Sequence, residues 1–143
     1  MSKNLLHGSI LLADDDPDDA EMFFMVLKEV APTVTFHHVK DGLAVFQFLK
    51  QAEHIPDVIF LDINMPEMTG WQCLTKLKGS AATKNIPVVI YSTSSHPLDK
   101  QTAIDLGATA FITKPSDYKI LQKLLSAIAA NLGNVEFELT RFR

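Results

Sequence analysis

Five strand-length apolar runs, separated by segments of helical periodicity, restrict this chain more than any other feature. They are SILLA (9–13), TVTFHHV (33–39), DVIFLD (57–62), IPVVIYS (86–92) and ATAFIT (108–113). Four are nearly continuous rather than alternating, which is how strands covered on both faces of a parallel sheet read. The second is less apolar and suits an edge. Helical segments are predicted over 18–30, 42–53, 70–78, 97–106 and 117–132. In the first, Met22, Met25, Val26 and Glu29 fall near helical spacing behind Pro17. The fourth is short and polar. The last carries the clearest stripe: Ile120, Leu121, Leu124, Leu125 and Ile128. Strand and helix alternate five times, with roughly 23 to 30 residues in most units. Such alternation predicts an α/β fold, an open parallel sheet with right-handed crossovers and helices on both faces.

Composition narrows the function classes. The 143 residues suit one domain, and 47% of them are hydrophobic, enough for a sizeable core. Net charge is −4, and the arginines are Arg141 and Arg143 alone, so the body of the chain offers no basic surface for nucleic acid. One cysteine, Cys73, forms no internal disulfide and fits a reducing compartment. No signal peptide is evident, and no apolar stretch approaches membrane-spanning length. A cytoplasmic protein is expected. In the tail, Val135, Phe137 and Leu139 alternate with Glu136, Glu138 and Thr140. An added edge strand, a dimer contact and a disordered end all fit that pattern.

In open α/β sheets, ligands bind beyond the carboxyl ends of the strands. Asp14, Asp15 and Asp16 follow the first predicted strand, Asp62 ends the third, Ser92 and Thr93 the fourth, and Lys114 and Pro115 the fifth. All would lie at one edge. Two carboxylates about 5 Å apart repel by roughly 3 kcal/mol at an effective dielectric near 20. Either one acid keeps its proton or a cation sits among them. An all-oxygen donor set suits a hard divalent ion, above all Mg²⁺. With Lys114 it makes a place for a phosphoryl group. The glycine-rich loops of nucleotide binders are absent, so that group would arrive on another molecule. Taken singly, Asp16, Asp18, Asp19 and Glu21 read as acids favoured by a helix dipole.

These residues resemble the receiver domain of two-component response regulators. The resemblance spans about residues 8–131 and rests on "ILLADDDPDD", "DVIFLDINMPEMTG", "PVVIYSTSS" and "AFITKPSDY". It implies a flavodoxin-like, doubly wound, five-stranded parallel sheet of order 2-1-3-4-5. It implies a receiver domain over 1–131 and a C-terminal extension over 132–143, with no effector domain. Asp62 would be the phosphoacceptor, taking the group from the phosphohistidine of a sensor histidine kinase or phosphotransfer protein. Asp14, Asp15, Asp62 and the backbone carbonyl of Asn64 would hold Mg²⁺, though three acids in a row leave the ligand register open by one. Lys114 would bridge acceptor and phosphoryl group, with a cis bond to Pro115. Ser92 and Phe111 would form the switch, and Asn64 and Ser94 would tune the lifetime of the phosphorylated state. Beyond self-phosphorylation and self-dephosphorylation no enzyme activity is expected. Output would pass by contact with an unidentified downstream protein, with a possible homodimer through the fourth helix, fifth strand and fifth helix.

Two rivals share parts of the pattern. A phosphoaspartate hydrolase of the haloacid dehalogenase type would place its nucleophile in "ADDDPDD", but Asp18 stands where that family has Thr or Val. A receiver-like scaffold that is never phosphorylated would lack site residues. His37 and His38, adjacent on a strand, face opposite ways and make a poor metal pair. His96 follows the hydroxyl strand, at the border of the expected site, while His7 and His54 lack partners at ligand spacing. Cys73 reads as core, and Trp71 as packing or rimming the loop near Asn64.

Overall fold

A computed structural model describes residues 8–134. The chain runs β1 (Ser9–Ala13), α1 (Pro17–Val30), β2 (Thr35–Val39), α2 (Gly42–Gln51), β3 (Val58–Leu61), α3 (Gly70–Lys78), β4 (Val88–Ser92), α4 (Pro97–Asp105), β5 (Ala110–Thr113) and α5 (Tyr118–Ala130), then a 3₁₀ turn (Leu132–Asn134). All strand pairs are parallel, in the order β2-β1-β3-β4-β5. The expected flavodoxin-like order is therefore present. The tail beyond Asn134 lies outside the described residues.

Strand periodicity divides the core in two. Ile10, Leu12, Phe60, Val89 and Tyr91 face α1 and α5. Their neighbours Leu11, Ala13, Ile59, Leu61 and Ile90 face α2, α3 and α4. Both sets are buried, so the runs show no alternation of polarity. β2, on the edge, keeps only partial cover. Each helix starts on a side-chain cap that accepts an otherwise orphaned backbone N–H: Asp16, Asp41, Thr69, His96 and Asp117 in turn. At α3 the cap is reciprocal, since Gln72 reaches back to the Thr69 N–H at 2.9 Å.

The stripe expected on α1 is displaced. Its buried residues are Ala20, Phe23, Val26 and Leu27, while Met22 and Met25 are 46% and 58% exposed. Phe23 sets the phase of the helix: its ring meets those of Phe60 and Tyr91 edge-on at 5.1 and 5.6 Å. Once Phe23 points inward, Met22 and Met25 are turned away from the sheet. On α5, Ile120 is likewise exposed, while Leu121, Leu124, Leu125 and Ile128 are buried.

The loop from β3 to α3 carries Asp62 and is pinned at both ends. Met65 and Met68 are buried in the second core. Between them Glu67 has φ +67°, and the Met68 N–H donates to the Pro66 carbonyl at 2.7 Å. A three-residue turn with positive central φ is the rarer, strained hand of γ-turn. At the start of α3 the Gly70 N–H donates to the Ile63 carbonyl at 2.8 Å. A Cβ on Gly70 would stand 2.2 Å from the Asp62 carbonyl oxygen, so only glycine lets the helix approach this close. Gly70→Ala is expected to destabilise by about 1–3 kcal/mol through overpacking. Gly133→Ala, where nothing lies within 4 Å of the added carbon, should stay within about 0.5 kcal/mol of the wild type. Urea midpoints of the two variants check both.

Candidate functional site

The strand order reverses between β1 and β3, and ligands of such sheets sit in the crevice at that point. Parallel register brings two acids together there. Ala13 pairs with Leu61, so the residues that follow, Asp14 and Asp62, leave the sheet side by side. Both stay tied to it by backbone: the Asp62 N–H donates to the Ala13 carbonyl at 3.0 Å, and the Asp14 N–H to that of Val39 at 3.0 Å.

Lys114, just past β5, reaches across to them. Its Nζ lies 2.8 Å from Asp14 Oδ2, 3.0 Å from Asp62 Oδ2 and 2.7 Å from Asp19 Oδ2. Its own N–H donates to the Ser92 carbonyl at 2.6 Å, which fixes the root of the side chain. Burial of the ammonium works to lower its pKa, but its close contacts with the carboxylates of Asp14, Asp19 and Asp62 more than offset this and hold it well above the ordinary lysine value. Lys114 is therefore a fixed positive charge at any physiological pH.

Asp14 is fully buried. Its Oδ1 accepts the Asp16 N–H at 2.9 Å. Its Oδ2 meets the ammonium's charge but receives no hydrogen bond of good geometry. Burial pushes its carboxyl up to about 6; Lys114 and the Asp16 N–H pull downward without cancelling that shift. Asp62 is nearly buried, and its Oδ1 accepts the Ile63 N–H at 2.7 Å. Asp15 is exposed at the mouth, and carboxylate oxygens of Asp14, Asp15 and Asp62 lie within 4.8 Å of one another. The under-bonded, buried Asp14 Oδ2 and this hard, all-oxygen donor set fit a divalent cation. Asp16 does not join them: its Oδ1 accepts the N–H groups of Asp18 and Asp19 at 2.9 and 3.3 Å, capping α1.

The remaining predicted residues surround this centre. Ser92 is buried, and its Oγ accepts the Ser94 N–H at 3.2 Å. Ser94 Oγ donates to Asp99 at 2.6 Å and accepts the His96 N–H at 3.1 Å. Phe111 is buried in the second core, and Asn64 is exposed on the loop after Asp62. The cis bond expected before Pro115 is absent; among the described residues no peptide is cis. The chain keeps the trans form, which X–Pro bonds favour by about 0.5–1 kcal/mol. Two site residues escaped the sequence reading. Asp19 pairs with Lys114 although its place in the first turn of α1 suggested a dipole effect alone. His38, on β2, contacts the Asp14 carbonyl at 2.7 Å.

The sequence profile of the "Response regulator receiver domain" matches residues 10–126. The chain belongs to the receiver-domain family. The receiver is 32% identical over 128 residues to the two-component response regulator ORR1 of Oryza sativa subsp. japonica, covering 85% of this chain but 55% of that one. It thus spans about half the length of that relative. Protein PilH of Pseudomonas aeruginosa is 33% identical over 122 residues, covering 85% of this chain and 97% of PilH. Response regulator Rcp1 of Synechocystis sp. is 32% identical over 128 residues, covering 83% and 84%. A crystal structure of Rcp1 in a Mn²⁺-bound form superimposes with a TM-score of 0.75 at 30% identity, covering 87% of this chain and 93% of that one. Among the described residues of the receiver, no helix is long and apolar enough to cross a membrane.

The elevated Asp14 pKa has a measurable sign. The folded state keeps its proton up to about pH 6, the unfolded chain only to its ordinary value near 3.8. Between these values the folded state binds more protons, so raising the pH removes stability. In cation-free buffer, the unfolding free energy of Asp14→Asn minus that of the wild type should grow by on the order of 2 kcal/mol from pH 4 to 6.5. Urea titrations at several pH values test this, and a flat difference would show an ordinary carboxyl.

Proposed function

We propose that the protein is a phosphorylation-switched signalling receiver whose acceptor is Asp62. The observation that carries this reading is the Lys114 ammonium between Asp14 and Asp62 at the sheet's switch point. Asp62 is the acid that both touches this charge and directly follows the third strand, at the edge of the sheet. A phosphohistidine on a sensor histidine kinase or phosphotransfer protein is the donor. A carboxylate oxygen of Asp62 attacks phosphorus in line, the P–N bond breaks, and the imidazole leaves with its electron pair. The transition state is loose, so the protein contributes position and charge rather than covalent steps. Lys114 stabilises the negative charge that gathers on the phosphoryl oxygens. Mg²⁺, held by Asp14, Asp15, Asp62 and the Asn64 backbone carbonyl, would supply further neutralisation of those oxygens. Water later attacks the acyl phosphate and restores the carboxylate, with Asn64 and Ser94 placed to tune that step.

The switch belongs to the same reading. A phosphoryl group on Asp62 would draw the Ser92 hydroxyl toward it and weaken its contact with the Ser94 N–H. The loop before α4 would shift with it, and the inward position of Phe111 would be favoured. Phosphorylation then biases a two-state equilibrium. The surface of α4, β5 and α5 is where a downstream protein, or a second copy of the chain, would sense the change. The net charge of −4 favours a protein target over nucleic acid, and the cytoplasm is the compartment where such a kinase would act.

Incubation with Mg²⁺ and acetyl phosphate, followed by intact mass, tests the proposal. One phosphoryl adduct should appear on the wild type and vanish in Asp62→Asn. An adduct that persists there but is lost in Asp14→Asn would favour a hydrolase; no adduct with any donor would favour a scaffold. Lys114→Ala should slow adduct formation by about 10²- to 10³-fold, as loss of a charge-stabilising donor does elsewhere.

A further inference from the structure

The acid pocket is gripped from the edge strand as well as from β5. β1 ends at Ala13, and β2 ends opposite it at Val39. Past that point the ladder has one more bond to give: the Val39 carbonyl accepts the Asp14 N–H at 3.0 Å. Among the described residues, no backbone N–H from the edge strand follows to meet the Asp14 carbonyl. A side chain meets it instead. His38 Nε2 lies 2.7 Å from that oxygen. A carbonyl only accepts, so Nε2 carries the hydrogen and donates it. His37 points to the other face, where its ring packs 4.7 Å from that of Phe48.

The consequence falls on Asp15. The Asp14 carbonyl is one end of the peptide plane that joins Asp14 to Asp15. Holding its oxygen fixes the orientation of the plane, and so the direction in which the next residue leaves. The Asp14 side chain has its own restraints, in the Asp16 N–H and Lys114. Asp15 is exposed, and its carboxylate meets those of Asp14 and Asp62 by virtue of where the backbone puts it. We infer that His38 is a positioning residue for the divalent-cation site, orienting Asp15 through its hydrogen bond to the Asp14 carbonyl. The inference rests on the proposed cation site and assigns no contact between His38 and the ion. It requires only a donor at the Nε2 position, and a glutamine amide can place one there.

Calorimetric titration of the full chain with Mg²⁺ separates the possibilities. Groups that orient metal ligands from outside typically govern about 10- to 100-fold in affinity. His38→Phe keeps a ring of strand-forming character and removes the donor; its Mg²⁺ affinity should fall by about 10-fold. His38→Gln restores a donor and should bind within a few-fold of the wild type. Asp15→Asn, which removes a proposed ligand, marks the fully impaired limit. Equal affinity in wild type and His38→Phe would overturn the inference, as would His38→Gln binding as weakly as His38→Phe. If the wild type itself takes up no Mg²⁺, the cation site fails, and the role of His38 with it. Circular dichroism of each variant confirms that the comparison is made between folded chains.

Discussion

One ammonium group makes this pocket tenable. Asp14, Asp19 and Asp62 all lie within 3.0 Å of Lys114 Nζ, and the Asp15 carboxylate stands within 4.8 Å of those of Asp14 and Asp62. A single positive charge shared by that many carboxylates cannot neutralise them. Asp14 is fully buried, and burial above all, with a smaller push from Asp62, raises its carboxyl to about 6. Such an excess of carboxylates at one edge of the sheet fits the proposed uptake of a cation and phosphorylation of Asp62. Burying an unpaired charge costs several kcal/mol, so such an arrangement adds little to stability by itself. Its value lies in what it can bind.

Most of the fold serves to assemble that imbalance. Parallel register sets Asp14 and Asp62 next to each other, and strand order places β5 close enough for Lys114 to cross β4 and the end of β3. The close approach of α3 at Gly70 and the strained turn at Glu67 hold the loop after Asp62 against the second core. Strain of this kind persists where surrounding packing over-determines it. Here that packing is Met65 and Met68, buried on either side of the turn.

The sheet was legible because burial on both faces writes itself into continuous apolar runs. The strand-end residues were legible because a parallel sheet gathers its carboxyl ends at one edge. Single residues with two plausible employments were not. Asp16 and Asp19 sit three residues apart in the same acidic stretch; one caps α1 and the other pairs with Lys114. Nothing in their local sequence separates the two, because the partner that decides is 95 residues away. His38 is hidden for a similar reason, since its target is a backbone carbonyl, which has no sequence signature. The phase of α1 turned on Phe23, whose partners Phe60 and Tyr91 lie on other strands. Pro115 illustrates the opposite error. A bond geometry carried over by family resemblance gave way to the ordinary trans amide.

The elements differ in how firmly they are held, and the difference bears on the proposed switch. α1 and α5 each bury four or more residues in the first core. α4 buries Ala103 alone, leaving Leu98 and Ile104 largely in solvent. Its attachment comes instead from polar contacts at its start, where Ser94 Oγ bridges Asp99 and the His96 N–H. The same loop receives the Thr113 hydroxyl on the Ser94 carbonyl at 2.9 Å and gives the Ser94 N–H to Ser92. A helix secured by little apolar area and a few hydrogen bonds can change position at small free-energy cost, while a helix locked into the core cannot. A ligand shifts such an equilibrium only by its differential interaction with the two states. In the proposed switch, a phosphoryl group that accepts the Ser92 O–H and pulls the hydroxyl toward it would have that differential, because the same oxygen accepts the Ser94 N–H that holds the loop.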